Sequence, residues 1–129
     1  MQVVVLVYSN DRNVRTDIAD ALGVTMDGLD IEIREAATQA AVLAELDNKD
    51  IDCCILDGEA SPSGGMGLSK QIRDEYEDPP PVLLLVARPT DSWLATWSRA
   101  EAVHPYPIDP LTLRKQVEDL VFIDVDDAA

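Results

Sequence analysis

The chain has 129 residues, the length of about one domain, and 47% of them are hydrophobic, which excludes wholesale disorder and leaves little room for two folded modules. Twenty-five acidic residues against ten basic ones give a formal net charge of -15, a field that repels phosphate backbones and anionic lipid headgroups, so no nucleic-acid or membrane partner is expected. No run approaches the roughly twenty apolar residues that span a bilayer. The apolar opening, residues 1 to 7, lacks a basic leader and a small-residue cleavage site, so the expected location is the cytoplasm.

In chain order, the first β-branched run, Val3 to Tyr8, predicts a strand, and Val14, Ile18, Ala21 and Leu22 at helical spacing predict a helix closed by Gly23. A strand at Ile31 to Ile33 precedes a helix through Ala40, Leu43 and Leu46 that ends near Asn48 or Asp50. The third strand, Ile51 to Leu56, contains the only cysteines, Cys53 and Cys54. Adjacent strand residues point to opposite faces, so these read as small buried hydrophobes. The glycine-rich loop Gly58 to Gly67 reads as turn chemistry at a helix entrance, because no P-loop spacing or lysine follows. A third helix through Leu68, Ile72 and Tyr76 is stopped by Pro79-Pro80-Pro81. The fourth strand, Val82 to Ala87, leads past a Thr90 or Asp91 cap to a helix with Trp93, Leu94 and Trp97. A weaker strand lies at Ala102 to Ile108, and Pro110 opens a last helix through Leu113, Val117, Leu120 and Val121. Residues 1–123 make one domain, and 124–129 make an acidic tail.

Five near-continuous apolar strands alternating with five helices imply a parallel sheet covered on both faces, a doubly wound α/β sandwich. Such sheets place ligands at the carboxyl ends of their strands. That edge receives Ser9, Asn10 and Asp11 after the first strand, Asp57 and Glu59 after the third, Ala87 and Arg88 after the fourth, and Asp109-Pro110 after the fifth. His104 has no Ser, Cys or second His at a catalytic spacing and reads as a loop or edge histidine.

In this order and spacing the residues resemble the receiver domain of response regulators, over Val3 to about Ile123. The segments D-G-E-A-S-P-S-G-G-M-G and W-L-A-T-W-S-R-A are similar to those of atypical stand-alone actinobacterial members. The resemblance implies a flavodoxin-like fold with strand order 2-1-3-4-5. It implies an acidic pair after strand one, a phosphoacceptor aspartate ending strand three, a Thr or Ser ending strand four, an aromatic on strand five, and Lys-Pro after it. Asp57 matches the acceptor, Tyr106 the switch aromatic, and Pro110 the proline, with Asp109-Pro110 a candidate cis peptide.

The departures carry most of the functional information. Ser9 and Asn10 stand where the acidic pair should be, and Mg²⁺ favours carboxylate and water oxygens, so any Mg²⁺ site built from Asp57 with Asp11 and Glu59 is expected to be weak. Ala87 replaces the switch hydroxyl. Asp109 is expected in place of the lysine, and one unit charge at about 4 Å is worth roughly 4 kcal/mol at an effective dielectric near 20, which opposes a bound phosphoryl group. Arg88 could offset this by pairing with Asp57 or Asp109.

These departures describe a receiver that acts by protein contact, without enzymatic activity and with impaired or absent Mg²⁺-dependent phosphorylation. The alternative is a working phosphoacceptor, phosphorylated on Asp57 by a histidine kinase. Trp93 and Trp97, one helical turn apart, suit a partner face, with one expected buried and the other partly exposed. Family resemblance adds that helix four, strand five and helix five can also form a homodimer. An FMN site is disfavoured because no glycine interrupts Ser9 to Asp20, and a hydrolase using Asp57 would have only Glu59 as its second acid. No cofactor is expected beyond weak Mg²⁺.

Overall fold

A computed structural model describes residues 2–48, 50–60, 64–91 and 93–128 of the chain. Residues 61–63 of the glycine-rich loop, Pro62 among them, and the side chain of Leu94 lie outside the described residues. The elements run β1 (Gln2–Tyr8), α1 (Arg12–Leu22), β2 (Thr25–Met26), β3 (Leu29–Ala36), α2 (Gln39–Leu46), β4 (Cys53–Asp57), α3 (Gly65–Glu75), β5 (Val82–Val86), α4 (Trp93–Ser98), β6 (Ala102–Pro105) and α5 (Pro110–Ala128), with a 3-10 turn at Pro89–Asp91.

The sheet order is β2-β3-β1-β4-β5-β6, with every pairing parallel except β2 with β3. The fold is the flavodoxin-like α/β sandwich with five helices, but the sheet has six strands and not the five expected. The sixth is the two-residue β2, joined to β3 by Asp27-Gly28, both at positive φ (52° and 81°), the backbone that a tight hairpin turn demands. Set beside this edge hairpin, the five parallel strands keep the succession that the resemblance implied.

Strand alternation sorts the core into two layers. Val5, Val7, Cys53, Ile55, Leu83 and Leu85 pack with Ile18 and Leu22 of α1 and with Leu113 and Val117 of α5. Leu6, Tyr8, Cys54, Leu56, Leu84 and Val86 pack with Val42 and Leu46 of α2 and Leu68 and Ile72 of α3. Cys53 and Cys54 thus fall on opposite faces, both fully buried, and burial pushes both thiols up, Cys54 to about 12. Neither is a nucleophile at neutral pH.

Helix ends follow local chemistry. Asp11 caps α1 by accepting from the Asn13 N–H at 2.8 Å, and Thr38 caps α2 from Ala41 at 3.1 Å. Tyr76, expected within the third helix, is instead its C-cap. The fifth strand ends at Pro105, short of the expected Ile108, and the backbone of α5 continues through residue 128. His104 is buried. Its Nε2 accepts from the Asp109 N–H at 3.1 Å, which leaves Nδ1 to donate to Gln116 at 2.9 Å, while Gln116 donates to the Val103 carbonyl at 2.8 Å. This chain of bonds fixes the β6–α5 turn. Among the described residues, no helix is long and apolar enough to cross a membrane.

Candidate functional site: the Asp57 pocket

Asp57 ends β4 at the carboxyl edge and is 3% exposed. The chain leaves it through Gly58, whose N–H donates to Leu85 O at 2.9 Å, and Ala60 N–H returns to Asp57 O at 3.2 Å. Glycine is required where α3 begins against this strand end, because a Cβ on Gly65 would sit 2.7 Å from Asp57 O. The loop glycines therefore let α3 approach the acceptor strand closely.

Both carboxylate oxygens have donors. Fully buried Ser9, just past β1, donates its hydroxyl to Oδ2 at 2.8 Å, and the same Ser9 oxygen accepts the Asp11 N–H at 3.0 Å. The Glu59 backbone N–H donates to Oδ1 at 2.9 Å. Tyr106 comes from the far side, immediately after β6. Its phenol is held well above the usual tyrosine range, first by burial, then by the Asp57 charge and by the hydrogen bond between the two side chains. Tyr8, at the end of β1, is raised for the first two reasons, burial and the Asp57 charge. Hydrogen bonds to a charged group are worth about 1.5–3 kcal/mol each. A ligand that displaced Ser9 or Tyr106 would have to replace that.

Several expected neighbours lie elsewhere. Arg88 is exposed and pairs with Asp91 at 3.3 Å, not with Asp57 or Asp109. They stand three positions apart in the turn that leads to α4, so the pair is local. Asp109 does not stand where the lysine was expected: its Oδ1 accepts the Thr112 N–H at 3.3 Å, as a cap for α5. The X-Pro cis peptide is Tyr106-Pro107, and not Asp109-Pro110. Tyr106 directly follows β6 and precedes Pro107, so it stands in the place expected of the lysine and not on the strand as the switch aromatic. The Tyr106 N–H bond to Val86 O at 2.9 Å fixes this register. Asp109 thus gives no ground for the charge repulsion expected of it, and the cation is replaced by a neutral phenol.

Asn10 and Glu59 are exposed, and Ala87 is half-buried at the end of β5. Asp11 uses its carboxylate on the α1 cap. Arg15, which the sequence did not single out, donates to the Ser9 carbonyl at 2.6 Å and pairs with Glu35 at 2.9 Å, so it fixes the backbone that carries Ser9. Among the described residues no group of three or more His, Cys, Asp and Glu side chains is placed to share a metal ion. With one buried carboxylate already bonded by Ser9 and Glu59, the donor set does not fit Mg²⁺. Trp93 and Trp97 are 66% and 51% exposed, so neither is the buried member expected. Their side chains lie over α3, at Met66 and Gly67.

A six-stranded, parallel-dominated α/β sheet with a buried aspartate at the carboxyl end of its third parallel strand in sequence, β4, defines a receiver-type domain. Proteins described as uncharacterized response regulatory proteins in two strains of Mycobacterium tuberculosis are 46% identical to it over 119 residues, 91% of this chain and 90% of theirs. The chain belongs to the response-regulator receiver family of two-component signalling. Structural likeness agrees on the fold. The chemotaxis regulator CheY4 of Vibrio cholerae aligns at TM-score 0.74 and 22% identity over 93% of this chain and 99% of its own. A CheY-like receiver of Methanospirillum hungatei gives 0.78 at 16% over 98% and 99%, and a Francisella receiver 0.79 at 19% over 95% and 99%. No protein-family model matches the chain.

Proposed function

We propose that this chain is a signalling receiver that works by binding another protein, is not an enzyme, and does not rely on Mg²⁺-assisted phosphorylation of Asp57. The observation that carries this reading is the set of uncharged donors around Asp57. Ser9 replaces a metal-ligating acid and hydrogen-bonds the acceptor, while Tyr106 fills the lysine's place with a phenol. A phenol can donate a hydrogen bond, but it cannot neutralise the added charge of a phosphoryl group. Ala87 supplies no hydroxyl to a phosphoryl oxygen, so the switch from strand four to its loop lacks its side-chain trigger. What remains is a fixed pocket on a surface suited to contact. Trp93 and Trp97, both exposed on α4, are the anchors of that surface.

The Glu59 and Asp11 amides report on this pocket directly, because one donates to Asp57 and the other to Ser9. In a titration with Mg²⁺ followed by acetyl phosphate, both amide resonances are expected to stay in place in wild type, whereas Asp57→Asn alone shifts the Glu59 amide. Saturable Mg²⁺-dependent shifts in wild type that Asp57→Asn abolishes would support the working phosphoacceptor and a histidine kinase as the partner.

A further inference from the structure

Gly67 lies within the first turn of α3, away from the positive-φ backbone that favours glycine, and a Cβ built there meets nothing within 4 Å. Glycine in a helix costs stability relative to alanine. At Gly65 that cost has a steric cause inside the fold, but at Gly67 it has none. The position instead faces an open depression of about 380 Å³, lined by Gly64, Met66, Gly67, Trp93 and Trp97. Two exposed indoles, a flexible thioether and two glycines make an apolar cup large enough for one or two side chains.

The charge around it selects the occupant. Lys70 and Arg73 of α3 pair with Asp74 and Glu101, and Arg88 and Arg99, which flank α4, pair with Asp91 and Asp74, so the basic groups on and beside these helices are matched by acids. The molecule as a whole carries -15, which repels a second copy and attracts a basic partner. Indole faces also attract cations when a partner brings Lys or Arg against them. We infer that the α3–α4 cup docks a protein segment presenting a bulky apolar side chain flanked by Lys or Arg, and that Gly67 keeps the cup open for it. This rests on the reading that the chain acts by contact, but it is independent of phosphoryl chemistry, so the two can fail separately.

Trp93 and Trp97 are the only tryptophans, so intrinsic fluorescence reads the cup without a label. A display library of random twelve-residue peptides is selected on wild type, with Gly67→Leu as the counter-selection target and Gly67→Ala as a control that keeps most of the cup. Enriched peptides are expected to pair Phe, Leu or Trp with Lys or Arg. Their synthetic forms should shift tryptophan emission to the blue, and they should bind Gly67→Leu about tenfold more weakly or worse, the size of a lost anchor pocket. Matching circular dichroism of the two variants shows that the loss is local. Enrichment of acidic or uncharged sequences, equal binding to Gly67→Leu, or no discriminating peptide would overturn the inference. So would free protein whose emission is already blue and concentration-dependent, which would mean that a second copy occupies the cup.

Discussion

Tyr106 is the residue on which the site turns, and its titration gives a direct handle. Its folded pKa lies above its unfolded value near 10, so its contribution to stability is fully present below pH 10 and is lost as the pH rises through the folded value. Chemical unfolding at pH 7 and at about pH 10.5 should therefore show a fall in stability that Tyr106→Phe reduces, while the same variant loses roughly 1–2 kcal/mol at pH 7. A fall of equal size in the variant would mean that another tyrosine carries the effect. His104 offers a second test at this scale. With both ring nitrogens bonded in a buried setting, His104→Phe should cost about 1–3 kcal/mol in urea unfolding. Asp57 and Ser9 were expected at one sheet edge because strand ends in a parallel sheet meet there, and the two side chains are hydrogen-bonded at 2.8 Å. Sequence reading misassigned Tyr106 and Asp109 because V-H-P-Y-P-I-D-P offers three X-Pro steps, and only the strand pairing of Val86 with Pro105 and the bond from Tyr106 N–H to Val86 O show which one closes β6.

At the scale of elements, the entry to α3 shows two glycines with opposite consequences. Gly65→Ala places a methyl 2.7 Å from Asp57 O and should lower stability by about 2 kcal/mol or more, disturbing the acceptor strand with it. Gly67→Ala meets open space and should raise stability by roughly 0.5–1 kcal/mol. Thermal unfolding of the pair checks both signs, and a destabilised Gly67→Ala would show that this glycine has a structural role after all. The five parallel strands and five helices were legible because apolar runs and helical spacing report burial. The hairpin strand β2 was not, since two residues make no periodicity, although Asp27-Gly28 carried the turn signal. The direction of the tryptophans was also hidden. Spacing of four puts Trp93 and Trp97 on one face of α4, but a six-residue helix does not reveal which face meets the sheet.

For the whole molecule, the charge of -15 sets a repulsion that packing must overcome. Arg114 shows one local remedy, donating to Leu22 O and, at 2.6 Å, to Thr25 O, so that α5 is tied to the end of α1 and to β2. Salt supplies a general one. Raising NaCl from about 0.01 to 0.5 M shortens the screening length from roughly 30 Å to below 10 Å and should raise the Tm by about 3–5 °C; an unchanged or lower Tm would mean that the ion pairs, which salt weakens, outweigh the repulsion. The same balance bears on the proposed function: on that reading, a receiver with a phenol where the lysine is expected lacks a cation to hold a phosphoryl group while keeping the fold that displays it. We attribute the proposed loss to Ser9, Asn10 and Tyr106 together. Intact mass after incubation with acetyl phosphate and Mg²⁺ tests it, comparing wild type with the variant Ser9→Asp, Asn10→Asp, Tyr106→Lys and with that variant also carrying Asp57→Asn. Wild type should gain nothing, the triple variant should gain one phosphoryl group, and Asp57→Asn should abolish the gain. A Mg²⁺-dependent adduct on wild type, or a well-folded triple variant that takes none, would show that these three residues do not block phosphorylation of Asp57.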